Sequence, residues 1–247
     1  MFRKMRTFSK ICLNKLKKLK YRKEPWMVEI VKCQAEIAAF DPYPYYLRKY
    51  RSVESYTWLH IPKWMCEDSE KHKIERCLDI GFAYGTLSLF SKKVFGCQNY
   101  CIDCVDKYLN QALVQKYGFV FSRNNIELDP FPWEVTFDVI IFTEVLEHFN
   151  FSCVPTLRKI RTLLAEDGRL YLSTPDASQW GKITKYYSSL DEMPKPQKGL
   201  PIIDDHVYQF DKEELFGVLE ASGFTVDRFD YSPGVAYRHF NLALKIK

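Results

Sequence analysis

The 247-residue sequence contains no long apolar run and no secretory leader pattern. Since no stretch of about 18 consecutive apolar residues occurs, a membrane-spanning helix is excluded. The N-terminus is basic, but it lacks both a continuous apolar segment and a small-residue cleavage site, which argues against a secretory signal. We therefore expect a cytoplasmic protein whose eight cysteines stay reduced.

Paired cysteines are also scarce. Cys101 and Cys104 form a single Cys-x-x-Cys pair, and no second pair exists to complete a zinc site. Cys101 lies at the end of the predicted strand 98–103, and in a strand positions three apart face opposite sides. Packing in the core is the favoured role, because unpaired cysteine commonly behaves as a small hydrophobic residue.

Acidic residues are absent from residues 1–23, which carry ten Lys or Arg. Apolar residues recur there every three or four positions, as in an amphipathic helix. The pattern predicts a basic amphipathic arm over residues 1–40, which either contacts the inner face of a membrane or packs on the remaining chain or a second subunit. Residues 24–247 hold the other 26 basic and all 31 acidic residues, a net charge of −5, which disfavours nucleic acid as a partner.

The remaining chain has the composition of a folded protein, with 47% hydrophobic and 16% aromatic residues. Short β-like runs alternate with helical stretches, which predicts one α/β domain over residues 41–247. Residues 176–203 break this rhythm with several prolines and are interpreted as an insertion or lid. The last two runs are joined by a short turn and must be antiparallel. The predicted strands are 75–80, 98–103, 118–122, 137–142, 169–173, 224–230 and 238–246. The predicted helices include 86–94, 106–117 and 152–165, the last followed by the stop signal Asp167-Gly168. Asp211 and Glu214 resemble a capping box that begins a further helix, which ends at Gly223.

A turn rich in small residues follows the first predicted strand, in the segment Asp79-Ile80-Gly81-Phe82-Ala83-Tyr84-Gly85. It lacks the Gly-Lys-Ser/Thr of a phosphate loop, and its glycine spacing is not the dinucleotide fingerprint. With these two classes of site excluded, the turn is expected to bind a nucleoside ligand that has no pyrophosphate. Asp103, at the end of the second strand, can accept hydrogen bonds from both ribose hydroxyls, and Asn125-Ile126-Glu127 can hold an adenine edge. Asp79 either serves the ligand or caps the turn.

These segments, together with 137–148 and 163–175, resemble in order the class I S-adenosylmethionine-dependent methyltransferases. The resemblance implies a Rossmann-like doubly wound sheet of seven strands with an antiparallel last strand, and S-adenosyl-L-methionine as cofactor. One departure is Ala83, which replaces a glycine and resists positive φ. The implied cofactor-binding residues are Asp79, Gly81, Phe82, Gly85, Asp103, Asn125, Ile126, Glu127 and Thr143.

The segment Glu144-Val145-Leu146-Glu147-His148 places three acid or base groups just after the fourth strand. It is similar to the ExxEH segment of the ubiquinone-pathway O-methyltransferases and of the small-RNA terminal 2′-O-methyltransferases. That similarity implies that Glu144, Glu147, His148 and His206 hold Mg²⁺ or another divalent ion. Two alternatives stay open: His148 acts as a general base without metal, with Glu144 and Glu147 beside it, or the segment is structural.

The resemblance implies an enzyme of the methyltransferase class, EC 2.1.1. We expect O-methylation of a small-molecule or glycan-type acceptor, covered by the aromatic stretch 43–64 and the insertion 176–203. One alternative is an RNA 2′-O-methyltransferase, which the net negative charge of residues 24–247 disfavours. The other is a non-catalytic subunit that binds the cofactor and a partner protein.

Overall fold

The computed structural model describes residues 12–14, 19–40 and 45–247. These residues contain a seven-stranded sheet in the order β3-β2-β1-β4-β5-β7-β6. The first five strands of this order are parallel, whereas β7 pairs antiparallel with both β5 and β6. The predicted seven-stranded sheet and its antiparallel terminal strands are therefore confirmed. The strands are β1 Arg76–Ile80, β2 Gln98–Asp103, β3 Val120–Arg123, β4 Phe137–Thr143, β5 Leu164–Pro175, β6 Phe224–Ser232 and β7 His239–Ile246.

Helices cover both faces of the sheet. One apolar cluster packs α1 to α4 against one face, and a second packs α5 and α7 against the other. Neighbouring residues of β1 enter opposite clusters, Cys77 the first and Leu78 the second, as the alternation of a strand requires. The α-helices are α1 Pro25–Phe40, α2 Ile61–Ser69, α3 Thr86–Phe95, α4 Gln111–Tyr117, α5 Cys153–Arg161, α6 Ala177–Trp180 and α7 Lys212–Ala221.

The helix expected before the fifth strand is shorter than its sequence pattern indicates. It ends at Arg161, and β5 already begins at Leu164. Gly168, interpreted as part of a helix stop, instead lies inside β5 beside β4. A Cβ there would lie 2.9 Å from the carbonyl oxygen of Phe137, so the close approach of the two strands explains the glycine.

The second half of the predicted N-terminal arm belongs to the folded core. Helix α1 buries Trp26, Ile30 and Cys33 in the same apolar cluster as α3. Most of the apolar stripe of residues 1–19 lies outside the described residues, and a boundary at residue 40 stays a prediction. Asn14 connects the described part of the arm to the loop between β6 and β7 by donating to the carbonyl oxygen of Pro233 at 2.9 Å.

No helix among the described residues has the length and apolar character needed to cross a bilayer. The parallel strands instead bring the carboxyl ends of β1, β2 and β4 to one edge of the sheet. The turn after β1, the acid that ends β2 and the acids after β4 all follow strands at this edge. In open α/β sheets, ligands bind at this edge.

Candidate functional site

The turn after β1 requires small residues at two positions. Gly81 and Gly85 adopt φ values of +81° and +77°. A Cβ on Gly81 would lie 2.2 Å from the side chain of Val145, and one on Gly85 would lie 2.4 Å from the ring of Phe82. The backbone can therefore pass close to the residues after β4 before Gly85 opens helix α3. The Phe82 ring is buried and packs edge-on against Phe119 of the core.

Asp103 joins the end of β2 to this turn. One carboxylate oxygen accepts the backbone N–H of Ala83 at 3.0 Å, and the other accepts that of Val105 at 3.1 Å. Ala83 has a φ of +45°, so this residue adopts the positive φ that alanine resists. Burial raises the pKa of Asp103, although these backbone donors favour its charged form.

Asp79 is buried in β1, the strand that pairs with β2. Its carboxylate accepts a hydrogen bond of 2.6 Å from the Ser88 hydroxyl in α3, and so it fastens this helix to β1. Burial raises the pKa of Asp79 to about 7, and the charge of Asp103 acts in the same direction. Asp79 also lines the cleft beside the turn. The structure thus gives it a packing role next to its predicted ligand role.

A segment that precedes β1 forms one wall of this cleft. It lies within the aromatic stretch 43–64 that was expected to cover the acceptor, but sequence reasoning did not identify Glu54 in it as a site residue. Glu54 is buried there, and one of its oxygens accepts hydrogen bonds from Tyr46 at 2.6 Å, Gln34 at 2.8 Å and Thr86 at 3.0 Å. Only the richness in aromatic residues hinted at this wall. The residues lining the cleft are Tyr50, Glu54, Trp58, Asp79, Gly81, Phe82, Ala83, Tyr84, Gly85, Thr86, Leu87, Thr143 and Glu144.

The residues after β3 make mainly local contacts. The Asn125 side chain accepts the N–H of Glu127, while Ile126 is buried in the core. The two oxygens of Glu127 accept the backbone N–H groups of Asn150 at 3.1 Å and Phe151 at 2.9 Å. Burial raises the pKa of Glu127 to about 7. None of the three residues after β3 lines the cleft described above, and their contact with adenine stays a prediction.

Glu144 leaves β4 in a left-handed conformation with a φ of +55°. The Ser173 hydroxyl donates to one of its oxygens at 2.7 Å. Nδ1 of His239 lies 2.8 Å from the other oxygen, within ion-pair range although its N–H is not aligned as a hydrogen bond. Burial opposes the charge of Glu144, yet its pKa is lowered, because His239 and Ser173 favour the carboxylate. Sequence reasoning missed His239, which lies on β7 outside any motif.

Three of the four predicted metal ligands lie together. One donor atom each of Glu147, His148 and His206 lies within 4.8 Å of the others, and Glu144 is not part of this group. Glu147 is fully buried. One of its oxygens accepts the Thr174 hydroxyl at 2.9 Å, and the other has no hydrogen-bond partner among the described residues. Burial and the charge of Glu144 raise the pKa of Glu147 well above its ordinary value.

The two histidines are oriented by neighbouring polar groups. His148 Nδ1 lies 2.9 Å from the carbonyl oxygen of Asp205, and the His148 and His206 rings meet nearly perpendicular, with centroids 4.6 Å apart. Gln209 lies 3.3 Å from Nδ1 of His206. Metal-bound histidines usually have such a partner on the second ring nitrogen. With the unpartnered oxygen of Glu147, this donor set fits a divalent ion.

A model of the methyltransferase domain matches residues 67–228, about two thirds of the chain. The chain belongs to the methyltransferase domain family. With the fold, this match confirms the predicted class I S-adenosylmethionine-dependent methyltransferase. The narrower resemblance to the ubiquinone-pathway enzymes stays a prediction. Among curated protein sequences, none matches this methyltransferase.

Solved structures share the fold of this methyltransferase at low sequence identity. The 1,6-didemethyltoxoflavin-N1-methyltransferase of Burkholderia thailandensis, solved with S-adenosylhomocysteine, has a TM-score of 0.59 at 17% identity and 87% coverage of each chain. The magnesium protoporphyrin IX methyltransferase of Synechocystis has a TM-score of 0.56 at 16% identity, covering 92% of this chain and 97% of the other. A polyketide-synthase O-methyltransferase of Brevibacillus brevis has a TM-score of 0.59 at 16% identity, covering 85% and 78%.

Proposed function

We propose that this methyltransferase transfers the methyl group of S-adenosylmethionine to a hydroxyl of a small-molecule or glycan-type acceptor, aided by a divalent ion at Glu147, His148 and His206. One observation supports the ion site: Glu147 is fully buried, one of its oxygens has no hydrogen-bond partner among the described residues, and its carboxylate lies in the same cluster as His148 and His206. A buried carboxylate oxygen without a partner is costly, and a bound cation would satisfy it.

The cofactor is placed by the turn after β1 and by Asp103. Gly81 and Gly85 let the backbone approach the methionine part, while the carboxylate of Asp103 accepts hydrogen bonds from the ribose hydroxyls. Thr143 and Glu144 line the same cleft from the end of β4. Glu147 and His148 follow Thr143 within five residues, and the proposal requires that the sulfonium methyl face their ion site. Methyl transfer is an in-line displacement, and this alignment is its main requirement.

The reaction breaks the bond between sulfur and methyl and forms the bond between acceptor oxygen and methyl, leaving S-adenosylhomocysteine. The acceptor proton passes to solvent, or to His148 when no ion is bound. A bound divalent ion supplies positive charge that lowers the pKa of an acceptor hydroxyl. Glu147, His148 and His206 would hold that ion. Without an ion, His148 remains a candidate base, since its contact with the Asp205 carbonyl favours a proton on Nδ1 and leaves Nε2 to accept one.

The acceptor is proposed to bind under residues 176–203. Tyr186 of this segment donates to Asp205, whose carbonyl oxygen contacts His148, so the segment reaches the proposed ion site. Trp180 is 41% exposed and packs edge-on against His239 with centroids 5.4 Å apart. An exposed aromatic ring beside a polar site suits a planar or sugar-like group. The neighbours named above include N- and O-methyltransferases, so the acceptor atom is decided by experiment.

The test incubates the full chain with methyl-labelled cofactor and fractionated cell extract, with EDTA and after adding Mg²⁺ back. We expect EDTA-sensitive label in small-molecule or glycan fractions, loss of transfer in His148→Ala, and normal transfer in the exposed control His72→Ala. Transfer that resists EDTA but is lost in His148→Ala would support His148 as a metal-free base. Full activity of His148→Ala contradicts both mechanisms, and label in RNA contradicts the acceptor class.

A further inference from the structure

Two glutamates that follow β4 differ in their contacts. Glu147 belongs to the cluster with His148 and His206, whereas Glu144 does not. Glu144 instead lies between Ser173 of β5 and His239 of β7. The sequence pattern treated both carboxylates as equivalent ligands, so the fold introduces a distinction that the motif does not contain.

The backbone explains the separation. A non-glycine residue in the left-handed region is strained, and such strain persists where surrounding contacts enforce it. At Glu144 these contacts are the N–H donated to the Ser173 carbonyl at 2.9 Å and the side-chain contacts with Ser173 and His239. Each oxygen of Glu144 has one of these partners. The carboxylate therefore cannot move to the ion cluster without losing them.

His239 is itself firmly positioned. It is 3% exposed at the start of β7, where it pairs with Pro175 of β5 and with Ser232 of β6. A Cβ on Gly234 would lie 2.8 Å from its ring, so the preceding loop leaves just enough room for the imidazole. Its edge-on contact with Trp180 fixes the ring from another side. A side chain held on several sides is suited to orienting a neighbour.

We propose that His239, with Ser173, holds Glu144 out of the ion site, so that the ion has three protein ligands and the Glu144 carboxylate stays in the cleft between cofactor and acceptor. This inference rests on the ion site of the proposed function. A site with three protein ligands keeps positions open for acceptor oxygens. Glu144, which lines the cofactor cleft, is then available to accept a hydrogen bond from the acceptor. His239 is a positioning residue, because it acts through Glu144.

The first experiment titrates the full chain, freed of metal, with Co²⁺ by calorimetry and visible absorption. Glu147→Gln should weaken Co²⁺ binding at least tenfold, whereas Glu144→Gln should leave the affinity within about twofold. Equal weakening by both substitutions would overturn the inference while leaving the ion site intact. If the unaltered chain binds no Co²⁺, the ion site fails and this inference fails with it.

The second experiment examines His239 directly. His239→Ala should free Glu144 to join the ion, tightening Co²⁺ binding by about tenfold and changing the cobalt absorption spectrum. His239→Gln retains a donor of similar reach and should restore the original affinity. The double variant with His239→Ala and Glu144→Gln should also show the Co²⁺ affinity of the unaltered chain.

Thermal unfolding shows whether each His239 variant folds. A merely structural His239 would lower the melting temperature without this Glu144-dependent change in Co²⁺ affinity. An unchanged affinity in folded His239→Ala therefore contradicts the proposal, as does tightening that persists in the double variant.

Discussion

The carboxylate of Asp103 accepts a hydrogen bond of 3.0 Å from the backbone N–H of Ala83. This bond joins the end of β2 to the turn after β1, and it forms while Ala83 has a φ of +45°. A charge-assisted hydrogen bond of this kind contributes about 1.5–3 kcal/mol, which is comparable to the strain of alanine at positive φ. The turn therefore keeps its shape without the glycine that the family usually has there.

Replacing Ala83 by glycine should relieve this strain. We expect Ala83→Gly to raise the free energy of unfolding by up to about 1 kcal/mol, since the greater freedom of glycine in the unfolded chain offsets part of the gain. The matched control is Ala112→Gly on the exposed side of α4, which should lower stability by about 1 kcal/mol. Urea unfolding measures both. A loss of stability in Ala83→Gly as large as in the control would show that Ala83 is not strained.

Asp103 should be needed for cofactor binding. Asp103→Asn removes the charge that we expect to hold the ribose hydroxyls, so affinity for S-adenosylhomocysteine should fall by about 2 kcal/mol, or roughly 30-fold. Asp106→Asn is the control, because Asp106 lies in the following loop and pairs with the exposed Arg123. Calorimetry on both variants measures the difference. Equal affinities would remove Asp103 from the cofactor site, and absence of binding by the unaltered chain would contradict the cofactor itself.

Asp79 should make stability fall as pH rises. Its pKa in the folded chain is about 7, whereas an aspartate in an unfolded chain titrates near 3.9. Between these values the folded state retains a proton that the unfolded state loses, so the free energy of unfolding decreases with pH across this window. A shift of this size corresponds to about 4 kcal/mol at most.

The measurement is urea unfolding at pH 4.5, 6 and 8. Asp79→Asn cannot ionise and should show a smaller decrease than the unaltered chain, whereas the exposed control Asp191→Asn should keep the full decrease. Glu127, whose pKa is also raised to about 7, contributes the same slope to all three proteins. Parallel stability curves for Asp79→Asn and the unaltered chain would refute the buried, protonated state of Asp79.

The sequence predicted those elements that are defined by a few consecutive residues, such as helix caps and tight turns. The capping box that begins α7 was visible in the sequence, and the structure shows both of its hydrogen bonds between Asp211 and Glu214. The turn between Gly81 and Gly85 was predicted for the same reason. Helix α4 was predicted to begin too early, because the Asn110 side chain caps it by accepting the N–H of Leu113. The residues before that cap had enough apolar periodicity to resemble a helix.

The contacts that complete the site are long-range and could not be read from spacing. His239 reaches Glu144 because β7 pairs with β5, a pairing that carries no marker at either residue. Glu54 reaches Thr86 across 32 positions through one buried oxygen. Both side chains are ordinary in their local sequence. Tertiary packing alone gives them their place beside the cleft.

The basic arm should bind an anionic membrane surface. Among its described residues, Leu13 and Leu19 are 53% and 54% exposed, and the surrounding sequence is rich in lysine. Exposed apolar side chains together with lysines are typical of segments that lie at a membrane interface. Asn14 connects the arm to the loop after β6, near the exposed Trp180. A membrane bound by the arm would therefore lie close to the proposed acceptor entrance.

The experiment is flotation of the full chain with vesicles of phosphatidylcholine, with or without one third phosphatidylserine. Each lysine near an anionic surface contributes about 1 kcal/mol, so replacing Lys15, Lys17, Lys18 and Lys20 by glutamine should abolish binding to the anionic vesicles. Replacing four exposed lysines outside the arm by glutamine, Lys63, Lys71, Lys73 and Lys212, keeps the net charge of the two variants equal and should leave binding intact. If both variants bind alike, the arm is not the anchor. In that case, packing on the rest of the chain or on a second subunit becomes its role, because the apolar stripe would still need a surface to cover it.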